Sequence, residues 1–310
     1  MAVMAEAYVR YDARAKRWLK EYAQQGGTVH CGSGCFHCCN MPVKVSLAEA
    51  LLTASALTTT QLEAMKRRAF EVLANARAAT NWDEFFQYHR ERIGYCPLLD
   101  TTTHACTAYE ARPARCRDTY SALSSEYCRV GVLENLNRQE HLMYVRQVRA
   151  NPVTDGVNHY IAPLEDMSQN IWQTASDIMR KTWGLEVWGD FWVLTTLSQD
   201  LAFMTAVRGG QFKRALQRAK TLRLWHVEIL EIAYESFKLE VSGFHSLPLP
   251  RFRYHLQLGF SRQNWRHSLA FSSWLRRFEW LALTLFEVNC LRGIARGPTP
   301  NLKMCSLQNA

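Results

Sequence analysis

Apolar residues recur at helical spacing over most of the chain. From Tyr8 to Tyr22, basic and apolar positions alternate around Trp18 and Leu19, and Gly26-Gly27 ends the run. Leu62, Met65, Ala69, Val72 and Leu73 line one stripe of a further helix. Its start is expected at Thr60-Gln-Leu-Glu63, and another start at Ser46-Leu-Ala-Glu49. Both have the capping-box pattern, in which a hydroxyl satisfies an orphan amide and a glutamate reaches back. Asn81-Trp-Asp-Glu84 opens a helix that places Trp82, Phe85, Phe86 and His89 at helical spacing. Val130, Leu133, Leu136, Leu142, Met143 and Val148 predict a longer helix between Glu126 and Arg149, closed by Asn151-Pro152. The stretch from Cys96 to Cys106 breaks this rhythm. A polar turn, Asp100 to His104, lies between short apolar pieces and predicts a small hairpin or irregular loop. Such a piece buries little apolar surface, and metal binding would supply the missing stability.

Beyond about residue 160, segments 166–182, 189–207, 210–239 and 261–291 read as helices. They are separated by Trp183-Gly184, Gly209-Gly210, the Pro248/Pro250 stretch and Gly259. Seven of the ten tryptophans lie between Trp172 and Trp274, and an eighth is Trp280. Aromatic residues on helical faces read as core. No fixed repeat, βαβ alternation or glycine-rich nucleotide loop is present. The expectation is a mainly α protein in two domains. Residues 1–150 form a cysteine-rich metal-binding domain with helices and a small loop or hairpin insert. Residues 151–310 form an all-helical, tryptophan-rich domain.

Composition narrows this picture modestly. With 48% hydrophobic and 21% charged residues among 310, the chain can bury a sizeable core, which excludes disorder over most of its length. The net charge of +9 is spread over both halves, favouring polyanionic partners without naming one. The richest apolar run, Trp280 to Phe286, falls well short of the ~20 residues a membrane span needs. The first residues lack a basic region followed by an apolar stretch, so the chain is expected to be soluble and cytoplasmic. Lys213, Arg214, Arg218, Lys220 and Arg223 spread over more than one helical face, which favours a solvated helix over a nucleic-acid reader. Nucleic-acid binding is kept as an alternative.

Cysteine usage changes the picture most. Eight of ten lie within one stretch: Cys31, Cys35, Cys38, Cys39, Cys96, Cys106, Cys116 and Cys128. Cys290 reads as a small buried hydrophobe and Cys305 as part of a tail. Clustering without a secretion signal points to metal-bound or redox-active thiols rather than disulfides. The three-residue gap from Cys31 to Cys35 and the two-residue gap to Cys38 let one loop wrap its sulfurs around an ion, with Gly32 and Gly34 easing the turn. Adjacent Cys38 and Cys39 carry diverging side chains, so they are expected to serve two metal positions or a bridged pair. Four sulfurs from each block match two four-coordinate sites or one polynuclear cluster, and all eight are candidate ligands. Arg112, Arg115 and Arg117 either offset the thiolate charge or pair with Glu110 and Asp118. His30, His37 and His104 lie near the cysteines and read as surroundings rather than ligands. His226, His245, His255 and His267 are scattered without a ligand pair.

These blocks resemble a known family. Cys31, Cys35, Cys38-Cys39, then Met41-Pro42-Val43 and Ser46-Leu-Ala-Glu49, are similar to the YkgJ-type cysteine-cluster proteins, also called zinc- or iron-chelating CxxCxxCC proteins. Cys96-Pro-Leu-Leu and the segment from Cys106 to Arg-Pro-Ala-Arg-Cys116-Arg117 agree with the second block of that family. The likeness spans about residues 28–130. One departure is the third residue between Cys31 and Cys35, where the family usually has two. The resemblance implies zinc or an iron–sulfur centre but no assigned reaction. More distantly, flagellin lysine N-methylases carry a related cluster ahead of a helical region, which implies an enzyme as an alternative. The spacing of Cys31, Cys35 and Cys38 also coincides with the radical-SAM triad, although the expected helices do not fit that chemistry's barrel. Zinc against iron–sulfur stays open, as does enzyme against binding protein. No serine or cysteine nucleophile stands in a recognisable setting, so no catalytic residue, substrate or partner is assigned.

Overall fold

The computed structural model describes residues 1–32 and 34–234. The chain opens with α1 (Ala2–Gln24), longer than the pattern from Tyr8 predicts, because Met4 and Ala7 extend the buried stripe of Tyr8, Tyr11 and Ala15. A short strand, β1 (Lys44–Ser46), leads into α2 (Leu47–Ala54), whose Ser46/Glu49 capping box is formed as expected. The next box is shifted. Thr58 caps α3 (Thr59–Ala78) and Gln61 reaches back to it, so Thr60 lies inside the first turn. Leu57 and Leu62 then occupy the two positions of a hydrophobic staple, which selects Thr58 among three consecutive threonines. Asn81 caps α4 (Trp82–Tyr88) through Glu84 N, and a π turn over His89–Ile93 follows.

Between Cys96 and Cys106, where a small hairpin or an irregular loop is expected, the chain forms a small hairpin closed by one bridge. Leu99 and Cys106 form an antiparallel bridge, and the Asp100 carboxylate accepts from the Thr102 and Thr103 amides in the turn. The short α5 (Ala114–Asp118) carries Cys116. The long helix expected between Glu126 and Arg149 is broken. A 3₁₀ turn covers Ser125–Cys128, Gly131 takes φ +77°, and α6 (Arg138–Ala150) starts only at a new capping box from Asn137 and Glu140. Its buried face is Tyr144 and Val148, while Leu142 and Met143 are exposed.

The long α7 (Ala162–Trp183) fits its expected span and ends at left-handed Gly184. The helices expected over 189–207 and 210–239 are corrected in part. Leu185–Asp190 is a strand, β2, followed by α8 (Phe191–Leu197), α9 (Leu201–Arg208), α10 (Phe212–Thr221) and a third strand, β3 (Leu230–Tyr234). Strand β2 is central in an antiparallel sheet ordered β1-β2-β3, with Val45 opposite Gly189 and Val187 opposite Ile232. Its alternating Leu185, Val187 and Gly189 suit a strand buried between neighbours. A Cβ on Gly189 would sit 2.7 Å from the Ile229 carbonyl oxygen, so only glycine lets these backbones approach. Asp190 and Asp200 cap α8 and α9, which divides the apolar run that sequence periodicity joins.

The protein is mainly α. One core includes Leu47, Met65 and Leu73 together with Ile161, Ile171, Met179 and Leu194, so packing continues across residue 150. Helices α1 and α2 rest on α7, and α3 rests on α8. Among the described residues no helix is long and apolar enough to cross a membrane. The expected helix at 261–291, with Cys290 and Cys305, lies outside the described residues, as do His245, His255 and His267.

Candidate metal centre

The eight clustered cysteines are free and partly buried. Cys31 and Cys35 lie on the loop before a 3₁₀ turn, His37–Asn40, that carries Cys38 and Cys39. The Cys96 amide donates to the Cys39 carbonyl at 2.8 Å, which stitches the second block to the first. Cys96 and Cys106 flank the hairpin, and Cys128 ends its own 3₁₀ turn.

The two blocks interleave in space. The Cys116 thiol faces Cys96 and Cys106 of its own block and Cys38 of the other. Cys128 faces Cys31, Cys38 and Cys35. Cys38 thus borders both groups, and it shares a side-chain hydrogen bond with Cys39. Among the described residues, no group of three or more His, Cys, Asp or Glu side chains closes around one point as metal ligands do. The sulfurs are neighbours at hydrogen-bonding and electrostatic range.

Burial is the main influence on the protonation of Cys31, Cys96, Cys106, Cys116 and Cys128. It pushes Cys31 up to about 11 and Cys96 and Cys128 up to about 12. Burial also raises Cys106 and Cys116, while Cys38 is raised first by its bond to Cys39 and then by burial. Without a compensating cation these thiols keep their protons. A metal ion must displace them, so affinity falls as pH drops.

Donors aimed at the sulfurs show what such a cation would find. The Ser121 amide donates to Cys31 Sγ at 3.1 Å. The Leu98 and Ala108 amides donate to Cys96 and Cys106, each from two residues downstream, and the Trp192 indole N–H also donates to Cys96. His159 Nε2 lies 3.2 Å from Cys128 Sγ. N–H groups converging on sulfur stabilise thiolates, so this donor set fits zinc or an iron–sulfur centre.

The three arginines near Cys116 divide their roles. Arg112 lies over the Tyr109 ring at 3.7 Å, and its charge favours the ionised forms of Cys38, Cys106 and Cys116. Its Nε is buried with no hydrogen-bond partner. Arg115 instead reaches Glu165 at 2.8 Å and Asp118 at 3.5 Å. Buried Arg117 holds Asp12 and the carbonyls of Arg112 and Glu110.

His30 and His104 are exposed, and His104 stacks on Phe36 with ring centres 4.3 Å apart. Sequence reasoning missed the histidine that meets sulfur, His159, and the indole of Trp192. Both follow the cysteine blocks by more than thirty residues in the chain. A bridge between Ser121 and Tyr160 brings the first back, and the β2–α8 junction carries the second.

No curated protein and no solved structure matches the chain. Residues 30–141 match the family model CxxCxxCC, described as a putative zinc- or iron-chelating domain. That interval holds all eight clustered cysteines, so over this segment the chain is similar to the CxxCxxCC cysteine-cluster domain.

Proposed function

We propose that the protein is a metal-binding protein in which Cys31, Cys35, Cys38, Cys39, Cys96, Cys106, Cys116 and Cys128 hold zinc or an iron–sulfur cluster. The single observation that carries this reading is the interleaving of the blocks, with Cys38 beside Cys31, Cys128 and Cys116. Two separate sites, one per block, would not need that arrangement. An all-sulfur donor set suits both zinc and iron–sulfur chemistry. The remainder of the chain then serves to present a partner or substrate to a domain whose loops the metal fixes.

Serine substitution tests the assignment. Cys38→Ser is expected to remove metal from the whole centre, and Cys116→Ser to remove at least the share held with Cys96 and Cys106. Full metal occupancy in both variants, measured by elemental analysis of protein purified without oxygen, would overturn it. Iron with acid-labile sulfide would turn attention to redox or group-transfer chemistry, whereas colourless zinc-loaded protein would favour a structural centre and a search for partners.

A further inference from the structure

Four features converge on Cys128. His159 is buried, and its Nε2 lies 3.2 Å from Cys128 Sγ. Its other ring nitrogen, Nδ1, lies 2.9 Å from the Tyr144 hydroxyl on α6. The Tyr144 oxygen accepts from the His159 backbone amide, so its own hydrogen is free to point at Nδ1. The backbone of His159 is itself pinned, since the Ala122 amide donates to its carbonyl at 2.8 Å beside the Ser121–Tyr160 bridge.

These contacts fix a tautomer. A metal-bound Cys128 has lost its proton and can only accept, so Nε2 must carry the ring hydrogen. Nδ1 is then an acceptor, and Tyr144 is the donor that satisfies it. The same bridge presents Ser121, whose amide donates to Cys31 Sγ while its hydroxyl donates to the Leu123 carbonyl at 2.7 Å, and His159, whose Nε2 meets Cys128. One two-stranded contact therefore delivers hydrogen bonds to both Cys31 and Cys128.

We infer that His159, oriented by Tyr144, is a positioning residue that donates Nε2–H to the Cys128 thiolate of the proposed metal centre. The inference rests on the metal-binding reading above and extends the centre beyond residues 30–141, because Tyr144 and His159 follow the matched segment. Outer-shell donors of this kind set ligand basicity, and their loss typically costs about 10–100-fold in metal affinity.

The test uses the full-length chain loaded with zinc, and separately with cobalt(II) as a spectroscopic probe. Zinc affinity is read by chelator competition, and the sulfur-to-cobalt charge-transfer band by absorbance. His159→Phe keeps the ring bulk and loses the donor; it is expected to weaken zinc about 10–100-fold and shift the cobalt band, with metal count per chain unchanged. His159→Asn restores an N–H donor and should recover part of the affinity. Tyr144→Phe removes one oxygen and guards against misfolding of the histidine variants; it should give a smaller loss in the same direction. Wild-type affinity and an unshifted band in His159→Phe and Tyr144→Phe would overturn the inference. Loss of one whole metal ion from His159→Phe would also overturn it, by making His159 a ligand. Failure of wild-type protein to bind zinc or cobalt, and to take up an iron–sulfur cluster on anaerobic reconstitution, would instead sink the underlying metal-binding reading.

Discussion

At the scale of single residues, His89 and Glu49 show opposite uses of burial. His89 is fully buried, stacks on Trp192 at 5.1 Å, and has no hydrogen-bond partner for either ring nitrogen. Burial first, then the charge of Arg68, pushes its pKa down to about 3. In the unfolded chain the ring titrates near 6.5. Unfolded protein therefore takes up the proton first. His89 carries no pH penalty above about pH 6.5, and stability falls as pH drops from there towards 3. His89→Phe keeps the stack and removes two unsatisfied nitrogens, so it is expected to gain about 1 kcal/mol at pH 7 and more at pH 5. Urea unfolding at the two pH values checks this; an unchanged difference between them would show that His89 is not the titrating group. Glu49 is equally buried, yet its carboxylate is fully used. It accepts from Tyr8 Oη, Ser46 N, Ser46 Oγ and Ala114 N, joining α1, α2 and the start of α5.

At the scale of elements, that second role of Glu49 matters for the centre, because α5 carries Cys116. Glu49→Gln replaces one acceptor oxygen with a donor facing donors, and is expected to cost about 2–3 kcal/mol and to loosen Cys116. Thermal unfolding and the alkylation rate of the Cys116 thiol would read both effects. The strand register makes a separate prediction. Gly189→Ala must push β2 away from the Ile229 carbonyl and should destabilise by about 1–3 kcal/mol, seen as a lower urea midpoint. Wild-type stability would mean that the β2–β3 approach is looser than described.

Much of this layer was legible in the sequence. The Ser46 capping box, the stripe from Met65 to Leu73, the Cys96–Cys106 hairpin and the Gly184 stop all follow from local chemistry. The strands β2 and β3 were not, because apolar runs of five or six residues fit a helix as well as a strand and only pairing with β1 decides. The break before α6 was hidden for a similar reason. Leu142 and Met143 match helical periodicity but face outwards, and the local signals that decide are Gly131 and the Asn137/Glu140 box.

At the scale of the whole molecule, among the described residues the cysteine blocks and helices α7 to α10 pack on one core. Strand β1, just after Cys39, pairs with β2, and the Ser121–Tyr160 bridge ties the second block to the start of α7. The eight cysteines could be picked out from sequence as a cluster, the first four by their tight local spacing. Their outer donors could not, since His159 and Trp192 reach the sulfurs only through tertiary pairing. Metal binding should accordingly be coupled to stability across residue 150, and a strong chelator is expected to lower the thermal midpoint of the chain as a whole. The most direct measurement is the mass of the anaerobically purified chain under native conditions, compared with its mass after acid denaturation. The account predicts a heavier native species, by two zinc ions or by the iron and sulfide of a cluster, that loses the excess in Cys38→Ser. Equal native and denatured masses, with all eight thiols open to alkylation, would contradict it.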